Sequence, residues 1–312
     1  MKNTHIEHPE DSILTGDLSV LDWFCADSNI SVKIDGAPAI VWGTNPANGR
    51  HFVGTKTVFN KKLIKINHDH EEIDQNHQGK VADILHDCLD YLPPTDGIFQ
   101  GDFIGIGGDN CYRPNTITYV FDEIIPHDII IAPHTSYTVP EFGYTGQEKG
   151  QLKHAIAKPI SDREILSLWN SASDVLFVRP FVTLKEHRDD LNDVCNFAAQ
   201  MSTMCEFVSE RQAKHLKKVI NSYIRDGRQV DEEEISLQHD VDINLIRLWK
   251  LVESIKMDMF CYISTDDSMK CIIEGHEVDH EGYVMENGFG TFKLVDRETF
   301  SYHNFNLAKS WN

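Results

Sequence analysis

The sequence predicts an α+β fold in which a β-rich body is interrupted by a helical insertion. Three observations lead there. Apolar residues alternate with polar ones, or run continuously, in short segments between turn signals near both ends of the chain. Between about 161 and 256 they recur instead at helical spacing. The chain has 312 residues, 41% hydrophobic and 25% charged, a balance that suits one large domain, or one domain with an insertion, and not a disordered chain. The expected core is 1–160 plus 257–312, with 161–256 inserted between them.

Taken in order, 8–29 reads as a short helical segment with Leu14, Leu18, Leu21, Trp23 and Phe24 turned inward. ISVKIDGAPAIVWG and HFVGTKTVF flank the turn string TNPANGR, which predicts a hairpin. In 71–92, Val81, Ile84, Leu85, Cys88, Leu89 and Leu92 share one helical face, and Pro93-Pro94 ends the helix. Strands follow at 97–105 and 116–124. Ser161 with Glu164 forms a capping-box pattern before Ile165, Leu166, Leu168 and Trp169. Leu191 to Val208 and Ile243 to Ile255 continue the helical texture. DMFCYIS, MKCIIEG, HEGYVME and TFKLVD return to strand, the last two separated by Asn287-Gly288-Phe289-Gly290.

Charge and cysteine usage narrow the function classes. Lys plus Arg is 29 against 49 Asp plus Glu, a net charge of −20. Such a surface repels polyanions at long range, so a nucleic-acid site has to be a local basic patch. Seven cysteines without a C-x-x-C pair argue against a disulfide scaffold and a zinc ribbon. No apolar run is long enough to span a membrane, and the start lacks a signal peptide's apolar core. The expected location is the cytoplasm, with no membrane partner.

The sharpest string is Lys33-Ile34-Asp35-Gly36. Alone it also reads as a strand ending in a solvated turn. Further along come Asp102 after the apolar run IFQG, Phe121 in YVFD, Glu281 in EGYV and Lys293 in FKLV. A lysine between apolar neighbours on an inner strand is costly unless an anion meets it. Two such lysines and two such carboxylates suggest a site for a polyphosphate with a divalent metal.

This ordered set resembles the covalent nucleotidyltransferase superfamily of ATP-dependent DNA and RNA ligases and messenger-RNA capping enzymes. Lys33–Gly36 matches its K-x-D-G motif, Asp102 the acidic end of a hydrophobic strand, Phe121 the aromatic of the next strand, Glu281–Val284 the E-G-x-V motif and Lys293 the apolar-K-apolar motif. Val53-Gly54-Thr55-Lys56 sits where the family has a short phosphate- or substrate-contacting segment. The strings KIDGAPAIVWG, FVGTK and HTSYT look closest to ligase-like proteins of tailed phages, which would put the protein in the host cytoplasm. The resemblance covers roughly 30–125 and 257–300.

It implies a ligase-like core of antiparallel sheets and an enzyme using ATP with Mg²⁺ or Mn²⁺. Lys33 would attack the α-phosphate to form lysyl-AMP. Asp35, Gly36, Lys56, Asp102 and Phe121 would bind the nucleotide, with Phe121 stacking on adenine. Asp102 and Glu281 would serve the metal, and Lys293 would neutralise charge on the phosphate. A free lysine titrates near about 10.4, so burial and the cations Lys56, Lys293 and the metal are expected to shift Lys33 downward.

Some features depart from the family. Pro38 stands where DNA ligases usually carry an arginine, a pattern closer to some RNA ligases, and Val295 replaces a second lysine. The chain ends at Asn312, so no C-terminal OB-fold is expected, and the helical insertion is the candidate for holding the acceptor through Arg211, Lys214, Lys217 and Lys218. Glu274-Gly275 competes with Glu281 for the E-G motif. Lys56, Lys61, Lys62 and Lys65 suit a 5′-phosphate end, the ATP tail or a solvated strand face equally. His68, His70, Glu71 and Glu72 read as a polar loop more readily than as a metal site, and so do His276, Asp279 and His280. The expected function is a polynucleotide ligase acting on a nucleic-acid 5′-phosphate end, RNA rather than DNA. The alternatives are transfer of AMP or GMP to another acceptor, and an inactive ligase-fold binding protein.

Overall fold

The computed structural model describes residues 6–140, 151–185, 189–266, 268–278 and 280–303. It is a mixed α+β structure with several antiparallel sheets. The largest sheet runs in the order His51–Gly54, Ala39–Thr44, Ile98–Ile106, Ile129–Thr138, Ile156–Pro159, and Val175–Phe177 adds a parallel partner to Ile129–Thr138. Because side chains alternate along a strand, this sheet buries Ile40, Trp42, Phe99 and Ile131 on one face and Val41, Phe52, Ile98 and Tyr137 on the other. Both faces are covered, which is why its strands read as nearly continuous apolar runs.

Helix Lys80–Tyr91 covers the first face with Ala82, Ile84, Leu85 and Cys88. Each buried Leu or Ile contributes about 1.5–3 kcal/mol. The single helix expected over 71–92 is two helices, His70–Asn76 and Lys80–Tyr91. Gly79 divides them at φ 61°, a left-handed backbone that a helix cannot contain.

A four-stranded sheet, His276–Val278, Met269–Ile273, Thr118–Phe121 and Cys111–Tyr112, forms a second layer. A third sheet joins Asn29–Val32, Gly282–Asn287 and Gly290–Val295. Its Tyr283, Met285 and Leu294 enter a helical cluster with Trp23, Phe24, Trp249, Val252 and Ile255.

The stretch 161–256 divides between two clusters. Helix Asp162–Ser171 begins at the expected capping box and buries Ile165 and Leu168 against the large sheet. Helices Asp189–Ser202, Glu210–Arg225, Glu232–His239 and Ile243–Met259 pack instead with the N-terminal helices Pro9–Ser12 and Ser19–Cys25. Two strand expectations shorten. Ile243–Met259 stays helical into the DMFCYIS string, leaving only Ile263–Thr265 extended. HFVGTKTVF stops being a strand at Gly54, where Thr55 caps a 3-10 turn by accepting from Thr57 N. Among the described residues, no helix is long and apolar enough to cross a membrane.

Candidate functional site

Strand register brings the two ends of the chain together. Val32 lies opposite Tyr283, and the chain continues with Lys33 N donating to Gly282 O at 2.8 Å. Lys33 therefore leaves its strand beside Glu281, and its Nζ donates to Glu281 Oε1 at 2.6 Å across 248 residues of sequence. Asp35 Oδ1 stands 3.7 Å from the same Nζ. Gly282, at φ 151°, follows directly: a Cβ there would lie 2.0 Å from Leu294 O, so only glycine lets this strand close on its neighbour. Glu274, the rival acid, is exposed in a hairpin turn.

Lys293 lies opposite Val284, which lies opposite Ser31, two residues before Lys33. The period of two puts Lys33 and Lys293 on the same sheet face, away from the helical cluster. Burial, with Lys33 and Arg297 close by, lowers the Lys293 pKa. Among the described residues, Lys293 Nζ has no carboxylate at ion-pair distance.

The loop after Lys33 is held by its own set of bonds. Tyr119 Oη accepts from Asp35 N and donates to Asp35 O, both at 2.9 Å. Asn115 Nδ2 donates to Asp35 O at 3.0 Å and to Asp35 Oδ2 at 2.8 Å. Burial pushes the Tyr119 phenol well up, so it stays a donor. Gly36 packs against the large sheet, where a Cβ would meet Phe103 O at 2.6 Å. Its value is close approach to the backbone rather than an unusual turn. Ala37-Pro38 is cis, and Ala37 N and Pro38 O both bond to Phe103.

Asp102 closes the other side. Gly36 N points to Asp102 Oδ2 at 3.4 Å, and His134 Nε2 is 3.7 Å from Asp102 Oδ1. Lys33, Asp35, Gly36, Asp102, Glu281 and Lys293 thus gather in one region. Two expected members make no described contact with these side chains. Lys56 is exposed and pairs with no described carboxylate. Phe121 is buried with Ile34 and Tyr119, and its ring meets Tyr112 edge-on at 5.9 Å and 75°. Stacking on a base would require that ring to part from Tyr112.

The charge state of Lys33 reverses the expectation. Burial alone would lower its pKa, but Glu281, Asp35 and Asp102 outweigh it and raise Lys33 above its ordinary value. Glu281 moves the other way from a normal carboxylate. Burial, with Asp35 and Asp102 beside it, pushes it up to about 7 despite Lys33. Its Oε2 is buried and makes no hydrogen bond.

A buried ion network backs this face. Lys256 Nζ and Arg297 Nη1 both donate to Glu10 Oε1, at 2.8 and 3.0 Å. Arg297 also donates to Asp11 at 3.2 Å and to Asn221 at 2.7 Å. Trp249 Nε1 donates to Asp11 at 3.1 Å. It joins the N-terminal helix, the helix Ile243–Met259 and the residues just after Lys293. Sequence reasoning missed Tyr119, Asn115, His134 and this network. A tyrosine in a buried strand is a usable signal, because its hydroxyl needs a partner; the others carried none.

Of the four cations expected on helix Glu210–Arg225, Lys217 is taken by Glu7 at 2.8 Å, while Arg211, Lys214 and Lys218 are exposed. His276 is exposed and His280 is buried against Cys271; Asp279 lies outside the described residues. Residues 3–242 and 231–309 match the model of a family of unknown function, DUF6267. No curated protein and no solved structure matches the chain.

Proposed function

The chain belongs to the DUF6267 family, whose function is unknown, and from its own residues we propose that it is a ligase-like nucleotidyltransferase working through a covalent lysyl-AMP at Lys33. The observation that carries this reading is the register-built contact of Lys33 with Glu281, with Lys293 on the same sheet face. A structural ion pair would need neither the second lysine nor the two further carboxylates.

In this reading Lys33 Nζ forms a bond to the α-phosphorus of ATP, the bond to the bridging β-phosphate oxygen breaks, and pyrophosphate leaves. The Lys33 proton has to depart first, because an ammonium has no lone pair. Glu281 is hydrogen-bonded to it and, with a pKa pushed up to about 7, is a suitable proton acceptor. The carboxylates that raise Lys33 must be partly neutralised before the transfer becomes favourable. Lys293, whose pKa is lowered by burial and by Lys33 and Arg297, is placed to offset charge on the phosphate when protonated. Tyr119 and Asn115 keep the Asp35–Gly36 turn in position.

Among the described residues, no three ligating side chains form a ready metal site. Mg²⁺ commonly binds through one or two carboxylates with substrate phosphates and water completing the shell, and Mn²⁺ suits the same oxygen ligands. The unpartnered Glu281 Oε2, with Asp102 nearby, fits that demand. Bound there, the ion would supply charge neutralisation to the phosphates.

The acceptor we favour is a nucleic-acid 5′-phosphate end, RNA rather than DNA, which would approach along Arg211, Lys214 and Lys218. The net charge of −20 favours a second reading, transfer of AMP or GMP to a protein or small molecule. The covered ring of Phe121 favours a third, a binding protein without activity. Incubation with α-labelled ATP or GTP and Mg²⁺ or Mn²⁺, followed by denaturation, tests all three. The expected result is an acid-labile label on wild type and none on Lys33→Ala. An unlabelled wild type, or an equally labelled variant, would sink the proposal.

A further inference from the structure

His70-x-x-x-Asp74 and His86-x-x-x-Asp90 repeat the same four-residue spacing on consecutive helices, His70–Asn76 and Lys80–Tyr91. Residues four apart share a helix face, and here the two faces meet reciprocally. His70 Nε2 reaches Asp90 Oδ1 at 3.0 Å, and His86 Nε2 reaches Asp74 Oδ1 at 3.0 Å. The ring planes lie within 21° of each other with centroids 5.0 Å apart, and the two Nδ1 atoms face each other edge to edge at 2.7 Å.

His86 Nε2 is hydrogen-bonded to Asp74, and when it donates there its Nδ1 lone pair faces His70 Nδ1. A positive group held by both Nδ1 atoms, a proton or a metal ion, satisfies the two rings together. A histidine that binds a metal through one nitrogen and donates the other N–H to a carboxylate is the usual arrangement of metal-ligating imidazoles.

We propose that His70 and His86 bind one imidazole-preferring divalent transition-metal ion, Zn²⁺ being the probe of choice, through their Nδ1 atoms, with Asp90 and Asp74 as outer supports. Zn–N bonds are about 2.0–2.1 Å, so ligands at a tetrahedral angle lie about 3.3 Å apart. The nitrogens need to open by about 0.6 Å and their lone pairs to turn toward one ion, a change that the exposed His70 ring and the half-buried His86 ring can share. Among the described residues, no third ligating side chain joins them, so water completes the shell.

The site has a structural use. Helix His70–Asn76 buries only one side chain fully, Ile73, whereas its neighbour buries four. A metal clamp would pin the weaker helix to the stronger. His68 is not a member: its Nδ1 pairs with Glu72 at 2.8 Å and its Nε2 faces Asn45 and Asn48.

The test is calorimetric titration of the untagged, chelator-stripped full chain with Zn²⁺, with thermal midpoints measured alongside. One equivalent should bind and raise the midpoint. His70→Ala and His86→Ala should each weaken that binding at least tenfold and remove the rise. Asp74→Asn and Asp90→Asn should weaken it about tenfold, as outer-shell changes do. His215→Ala, at the separate His215–His239 pair, should leave it intact. Circular dichroism checks that each variant is folded. Absence of stoichiometric binding, or binding that survives either His70→Ala or His86→Ala, overturns the proposal. So does an imidazole ¹⁵N spectrum in which a proton shared by His70 and His86 persists under excess Zn²⁺.

Discussion

Replacing Lys256 with Met removes one cation from a network that is closed to solvent. Lys256 and Glu10 are both 0% exposed, and the ammonium is 2.8 Å from the carboxylate. Glu253, at 3.8 Å, gives little help, since burial pushes its pKa up to about 7. In Lys256→Met, Glu10 keeps Arg297 at 3.0 Å but loses its nearest countercharge. Breaking a buried pair by removing one partner costs about 3–5 kcal/mol, and the surviving Arg297 puts this case near the lower end. The assay is urea unfolding followed by circular dichroism, comparing midpoints at constant slope. Glu10→Gln/Lys256→Met should lose less than the two single variants combined, with coupling of about 0.5–3 kcal/mol. A loss below about 1 kcal/mol in Lys256→Met, or strict additivity in the double variant, would refute the view that these charges hold the helical layer to the strand carrying Lys293.

Four further outcomes follow from the same contacts. Glu10 is held down to about 2 from an ordinary 4.5 because Lys256 and Arg297 outweigh the effect of burial. Its contribution is therefore present above pH 4.5 and fades as pH falls toward 2; acid unfolding of Glu10→Gln should show a flatter profile through that window. Tyr119→Phe leaves Asp35 N without its partner, at about 1–3 kcal/mol in urea, and should slow nucleotide labelling of Lys33. Ser161→Ala removes a cap accepting from Glu164 N and should cost about 1 kcal/mol in the same assay, with labelling unchanged. Charge reversal at Arg211, Lys214 and Lys218 should weaken transfer from pre-labelled protein to an RNA acceptor while label formation stays normal; equal loss of both steps would count against an acceptor-binding helix.

Much of the fold was legible because local periodicity and tertiary burial agree. The helix 80–91, the hairpin of 39–44 with 51–54, and the two strands around Asn287–Gly290 lie where their apolar patterns put them. Ser161 and Glu164 cap a helix because both halves of that motif lie within one turn. The strand Ile129–Thr138, at the centre of the large sheet, escaped notice since HTSYT interrupts its apolar run. The DMFCYIS string misled in the opposite direction: Met259 is wholly buried in the helical cluster, and packing there keeps the helix going.

For the candidate site, the sequence by itself determined which residue types are present and in what order: Lys33, Asp35 and Gly36 early, Asp102 between, Glu281 and Lys293 late. Tertiary structure decided which of them meet. The register of Asn29–Val32 against Gly282–Asn287 selects Glu281 over Glu274 and aligns Lys293 with Lys33, and a slip of one residue would turn these side chains to the opposite face. It also decided the sign of the Lys33 shift. Burial acts against its charge, but Glu281 and Asp102, from distant parts of the chain, join the neighbouring Asp35 around it, and Coulomb energy depends on distance in space rather than separation along the sequence.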